Sequence, residues 1–213
     1  MSTTLARTAG ALATALFASC AAPPATVATP AASSAEADCT ALPARSRLAA
    51  TQLATRYVSA GTRRAGNASA GIVLPGHCVV TGSIGARTGI DGKSYATGFE
   101  LSLPDAWNGR FLYLGGGGND GTLRDTSLSS SISIGTPSPL LQGFAVVSTD
   151  AGHSGQSDVF GLDPRARIDH AFDSHHKTAV SAKALIAQRY GRAPDRSYFS
   201  GCSGGGRQAM MFS

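Results

Sequence analysis

The sequence has 213 residues, of which 42% are hydrophobic and 15% charged, a balance that excludes a disordered chain and suffices for one domain with a core. The formal net charge is +5 and the isoelectric point lies near 9.3. No basic run of five or more interrupts the scattered arginines, so the charge reads as solvated surface and excludes a nucleic-acid footprint.

Residues 1–20 read as an export signal. Arg7 supplies a sparse positive start, Ala9 to Phe17 a short apolar stretch, and Ala18 and Ser19 small residues before a cleavage point. The stretch is too short to span a bilayer, and no other is long enough. Cys20 follows Phe-Ala-Ser, a setting that resembles a bacterial lipoprotein site, so lipidation of Cys20 and ordinary cleavage are both open. Either reading places the protein outside the cytoplasm: periplasmic, outer-membrane or secreted. Residues 21–38 are Ala, Pro, Thr and Ser with few large side chains and read as a tether. Ordered sequence is expected from near Cys39, giving one domain over residues 39–213.

In an exported protein the cysteines Cys39, Cys78 and Cys202 can form disulfides, but three cannot all pair within the chain. A Cys39–Cys78 bond would close a loop of about 40 residues, worth roughly 4 kcal/mol on the chain-entropy model. That pairing would leave Cys202 alone.

Further along, strand and helix patterns alternate. Cys78 to Thr81 is a short strand candidate. Tyr95 to Leu103 alternates, with Phe99, Leu101 and Leu103 on one face. Trp107-Asn108-Gly109 turns into a strand over Arg110 to Leu114, which ends in four glycines, Gly115 to Gly118. Phe144 to Thr149 is continuously apolar, as a strand buried on both faces requires. Asp173 is placed to cap a helix whose apolar face is Ala179, Ala182, Ile186 and Tyr190, stopped by Gly191 with Pro194 beyond. Ser197 to Gly201 is the next strand, and a helix opens at Gly205 or Gly206. This order predicts an α/β sheet with a parallel part.

Between that last strand and helix lies Gly201-Cys202-Ser203-Gly204-Gly205, which fits G-x-S-x-G. A nucleophile on a sharp strand-to-helix turn needs a strained backbone, and small neighbours two before and two after let strand and helix pass closely. The turn would lift the Ser203 hydroxyl above the sheet at a helix N-terminus, where the Gly204 N–H can face a developing oxyanion. With 26 glycines in the chain the pattern alone is weak, and the flanking strand and helix sharpen it. Gly115-Gly116-Gly117-Gly118-Asn119-Asp120-Gly121 is a loop of the kind that supplies a second oxyanion N–H; no Lys-Ser or Lys-Thr follows to make it a phosphate cradle.

The histidines are His77, His153, His170, His175 and His176. Their spacing matches no standard zinc pattern, so no metal is expected, and His153 is a candidate to line the pocket. In this kind of site the triad runs Ser, then Asp or Glu, then His along the chain. Every histidine precedes Ser203, and residues 204–213 hold neither an acid nor a histidine. The chain is therefore expected to stop short of its own acid and base, and to be inactive by itself.

These segments resemble the tannase/feruloyl esterase family of the α/β-hydrolase superfamily, which includes the terephthalate monoester hydrolase. Gly201-Cys202-Ser203-Gly204-Gly205-Gly206-Arg207 is similar to that family's nucleophile signature. Leu74-Pro75-Gly76-His77-Cys78, Arg87-Thr88-Gly89-Ile90-Asp91-Gly92, Trp107-Asn108-Gly109-Arg110-Phe111, Phe160-Gly161-Leu162-Asp163-Pro164 and Tyr190-Gly191-Arg192 carry it further. The resemblance covers residues 39–213 and only the first part of the family's catalytic domain. It implies an α/β-hydrolase fold cut off after the nucleophile turn, with Ser203 as nucleophile and Gly118 and Gly204 as oxyanion donors. It also implies a Cys39–Cys78 disulfide, and a bond from Cys202 to a cysteine beside the catalytic histidine. The family's lid, with its calcium site, falls outside the covered part, so no cofactor is implied here. The implied substrate is a small ester of an aromatic acid such as ferulate, gallate or a terephthalate monoester. The rival reading is a non-catalytic exported lipoprotein that binds a ligand or a cell-wall component.

Overall fold

A computed structural model describes residues 32–48, 51–63, 71–128 and 137–212. The expected signal, Cys20 and residues 21–31 of the tether lie outside the described residues. The first helix, α1 (Ala32–Arg45), opens inside the stretch read as a tether, so residues 32–38 are helical. Ala35, Cys39 and Leu42, spaced four and three, form its buried stripe. Cys39 is bonded to Cys78, which fastens this Ala-rich helix to the sheet.

Six strands build the main sheet: β1 (Thr51–Val58), β4 (His77–Thr88), β5 (Ser94–Pro104), β6 (Arg110–Leu114), β7 (Ala145–Thr149) and β8 (Arg196–Ser200). Their order is β1-β4-β5-β7-β6-β8. The short strands β2 (Gly61–Arg63) and β3 (Ile72–Leu74) pair separately. The pairs β1–β4, β4–β5 and β5–β7 are antiparallel, whereas β6 pairs in parallel with β7 on one side and β8 on the other. The chain leaves β6, forms β7 beside it, and returns through a long helix to β8 on the far side of β6.

The expected strand at Cys78 to Thr81 is the start of the 12-residue β4, which bends at an irregularity between Ile84 and Arg87. Phe99, Leu101 and Leu103 are fully buried on one face of β5. Each such side chain contributes about 1.5–3 kcal/mol by leaving water. Every residue of β7 is buried: Ala145 to Val147 form an apolar run, and the Ser148 and Thr149 hydroxyls donate to the Arg124 and Gly98 carbonyls. Phe111 and Tyr113 of β6 join α1 and the helix below in one core, while Leu112 and Leu114 face Leu140 and Val146 on the other side.

The return helix corrects one expectation. Asp173 does not cap it. The helical run starts ten residues earlier, at α2 (Pro164–Ile168), where Asp163 Oδ1 accepts the Ala166 N–H at 2.7 Å and Pro164 fills the first turn. A π-helical turn, Asp169–Asp173, joins α2 to α3 (Ser174–Tyr190). Asp173 instead pairs with Arg165 and with Lys177. Ala182 and Ile186 are buried in the core and Ala179 and Tyr190 pack against it, the face read from the sequence. Gly191 ends α3 in the left-handed conformation, φ 72°. The last helix, α4 (Gly204–Met210), starts one residue before the earliest expected point. Among the described residues no helix is long and apolar enough to cross a membrane.

Candidate active site

β8 ends at Ser200, and α4 begins at Gly204 after three intervening residues. The bend between them is abrupt. Ser203 has φ 54° and ψ −118°, a conformation that L-residues rarely adopt and that costs about 1–3 kcal/mol. Bonds from the Gly205 N–H to the Cys202 carbonyl (2.9 Å) and from the Arg207 N–H to the Ser203 carbonyl (3.1 Å) close the corner.

The glycines around the corner are set by contact distance. A Cβ on Gly201 would lie 2.5 Å from the Gly205 carbonyl carbon and oxygen. One on Gly205 would lie 2.8 Å from the Gly116 carbonyl oxygen, and one on Gly115 would lie 2.9 Å from the Gly205 Cα. Strand, helix and glycine loop therefore meet backbone to backbone. Ser203 and Cys202 are both exposed. Among the described residues the Ser203 hydroxyl has no hydrogen-bond partner, and Cys202 is a free thiol.

The loop 115–121 lies directly against this corner. A Cβ on Gly204 would sit 3.2 Å from the Gly118 oxygen and 3.6 Å from the Gly118 nitrogen. The Gly115 N–H donates to the Ser200 carbonyl at 2.8 Å. The Gly116 N–H donates to Gln208 Oε1 and the Gly117 N–H to Asp120 Oδ1, both at 2.9 Å. The Gly118 N–H, next in line, has no partner among the described residues, and neither has the Gly204 N–H at the helix start. The structure thus brings together Ser203, Gly118 and Gly204, all three read from the sequence.

Asp120 and Gln208 were not read from the sequence. Gln208 Nε2 donates to Asp120 Oδ2 at 2.7 Å across 88 residues of chain, a pairing no local pattern signals. Burial pushes the Asp120 carboxyl up, while the Gly117 N–H and the Arg207 charge pull it back. Burial, with the Arg207 charge beside it, holds His170 down at about 4.

No histidine bonds to Ser203 among the described residues. His77 donates through Nδ1 to the Pro75 carbonyl. His153 is buried and stacked on Phe160 with ring centroids 3.9 Å apart. It lines a separate cavity with Tyr95, Ser157 and Phe160. His175 is buried beside Tyr113, and His176 is exposed. A groove of about 520 Å³ runs along β8, lined by Phe111, Tyr113, Val180, Tyr198, Phe199 and Phe212 among others.

A crossover that places parallel β7 and β8 on either side of β6, with a sharp turn after the last strand, is α/β-hydrolase-like. A family model described as tannase and feruloyl esterase matches residues 78–213. A mono(2-hydroxyethyl) terephthalate hydrolase of Piscinibacter sakaiensis is 45% identical over 150 residues, which is 66% of this chain and 24% of that protein. Feruloyl esterase B of Aspergillus niger is 34% identical over 113 residues, 53% of this chain and 20% of that one. The crystal structure of feruloyl esterase B from Aspergillus oryzae superposes with a TM-score of 0.65 at 26% identity, covering 81% of this chain and 33% of that chain. The chain belongs to the tannase and feruloyl esterase family. It spans about a quarter of the length of the curated relatives it matches.

Proposed function

We propose that the protein hydrolyses carboxylic esters of aromatic acids, with Ser203 as nucleophile. The observation that carries the reading is an exposed serine, held at φ 54° on a strand-to-helix corner, beside two unengaged backbone N–H groups. Ser203 Oγ attacks the ester carbonyl carbon and loses its proton to a histidine, which an acidic residue orients. The Gly118 and Gly204 N–H groups receive the oxyanion, each worth about 10²–10³ in rate. The alcohol leaves, and water then attacks the acyl-enzyme. The names of the relatives support feruloyl and terephthalate esters, and the resemblance to the family adds gallate esters.

In this reading the histidine and its acid come from outside residues 32–212, since no described histidine bonds Ser203. Residues 1–213 by themselves are then inactive. Cys202 is proposed to bond a cysteine beside that histidine, clipping nucleophile to base. The Cys39–Cys78 bond supports an oxidising compartment, and with it an exported protein with a leader over residues 1–20, ending either in ordinary cleavage or in a lipid on Cys20.

The test is hydrolysis of methyl ferulate, methyl gallate and mono(2-hydroxyethyl) terephthalate by the full-length gene product. Release of the acid by the parent, and its loss in Ser203→Ala, is expected. Hydrolysis that survives Ser203→Ala would overturn the assignment of the nucleophile.

A further inference from the structure

We propose that Gln208 and Asp120 are positioning residues that clamp the glycine loop to the nucleophile helix and so fix the Gly118 N–H for the oxyanion. The inference rests on the reading of Ser203 and Gly118 given above.

After Gly115 the loop leaves the sheet, and regular backbone bonding stops. Asp120, Gly118 and Gly121 all take positive φ, at 57°, 59° and 79°, so no helix or strand holds this segment. Backbone bonds to Asp150 and Gly155 anchor its end at Gly121, Asn119 donates to the Gln156 carbonyl, and two buried side chains hold the stretch before Gly118. Gln208 lies on α4, five residues after Ser203, and is fully buried. Its oxygen accepts the Gly116 N–H, and its nitrogen donates to Asp120. Asp120, 4% exposed, accepts the Gly117 N–H through its other oxygen. The clamp engages the N–H groups of Gly116 and Gly117 in succession and stops at Gly118. Through Gln208 it ties the loop to the helix that carries Ser203. A side chain on Gly116 would overlap Asp120 Oδ1, so the carboxylate fits only because that residue is glycine.

Packing does not account for the pair. Two apolar side chains of the same shape would fill the space without burying a carboxylate, but they would leave the Gly116 and Gly117 N–H groups without acceptors. What the polar pair supplies is a fixed loop geometry. In the transition state that geometry matters more than in substrate binding, so its loss falls on kcat more than on KM.

The bonding pattern gives a test that folding alone does not mimic. In Asp120→Asn an amide N–H faces the Gln208 N–H, and flipping the Gln208 amide only moves the mismatch to Gly116. In Gln208→Glu two carboxylates oppose each other. The double variant Asp120→Asn/Gln208→Glu restores every donor to an acceptor and keeps the net charge. The experiment measures kcat and KM of the full-length protein for methyl ferulate, or for whichever of the three esters the parent cleaves. Molecules are counted by fluorophosphonate titration of Ser203, so unfolded protein does not enter. Each single variant is expected to lose about 10–100-fold in kcat with KM within about threefold, and the double variant to return to within about threefold of the parent. Single variants with parental kcat, or a double variant no better than the singles, would overturn the clamp while leaving the nucleophile standing. Hydrolysis undiminished in Ser203→Ala would overturn both.

Discussion

Gly205→Ala and Gly206→Ala sit side by side in the first turn of α4, and the structure gives them opposite signs. On helix propensity alone each change gains up to about 1 kcal/mol. At Gly206 the nearest atom to a new Cβ is the Gly201 oxygen, 3.9 Å away, so the gain survives. At Gly205 the new Cβ falls 2.8 Å from the Gly116 oxygen and 3.2 Å from the Gly115 carbonyl carbon. Both are backbone atoms and cannot rotate aside, so the cost sits at the upper end of overpacking, about 3 kcal/mol. The net expectation is a loss of about 2 kcal/mol for Gly205→Ala against a gain of about 1 for Gly206→Ala. At about 2–4 °C per kcal/mol for a chain of this size, the first midpoint falls by about 4–8 °C and the second rises by about 2–4 °C. Calorimetry on the two variants reads this directly. Two midpoints that rise together would refute the close approach of helix and loop on which the site is built.

Replacing both Cys39 and Cys78 by serine should cost about 4 kcal/mol in urea unfolding, from a bond spanning 39 residues, and should speed amide exchange over Ala35–Leu42. An unchanged urea midpoint would contradict it. Ser203→Gly should raise stability by about 1–3 kcal/mol through relief of the φ 54° conformation, while abolishing hydrolysis; a destabilised variant would show that the corner stores no strain. Burial pushes the Asp150 carboxyl up to about 6, against the Gly98 and Gly152 N–H groups that its Oδ1 accepts. The folded state then holds its proton where the unfolded state, near 3.8, has released it, so this group lowers stability as pH rises from about 4 to about 6. Asp150→Asn keeps the acceptor oxygen, so its stability relative to the parent should climb over that window and level off above it. A flat difference from pH 4 to 7 would reject the shift.

Strands β5, β6 and β7 were legible because burial on one or both faces leaves a pattern in the sequence: Phe99, Leu101 and Leu103 alternate, and Phe144 to Val147 is apolar without a break. β1 carried little signal, since Leu53 and Tyr57 are only half-buried and polar residues intervene. Helix α1 was hidden for another reason. Its stripe is made of Ala35, Cys39 and Leu42, and a disulfide does what large apolar side chains do elsewhere. Asp173 and Asp163 are the same residue type before helical sequence, and the adjacent Pro164 is what marks Asp163 as the true cap. At the site, Ser203 and Gly204 were readable because a tight corner demands small residues in fixed places, and Gly118 through the family resemblance. Gln208 and Asp120 were not, because their bond joins a loop and a helix far apart in the chain.

The most direct measurement is the mass of the peptide carrying residue 203 after the full-length gene product reacts with a fluorophosphonate probe. One adduct on Ser203, absent from Ser203→Ala and absent when residues 1–213 are treated alone, is the expected result. An adduct on a different residue, or none on a preparation that cleaves aromatic esters, would contradict it.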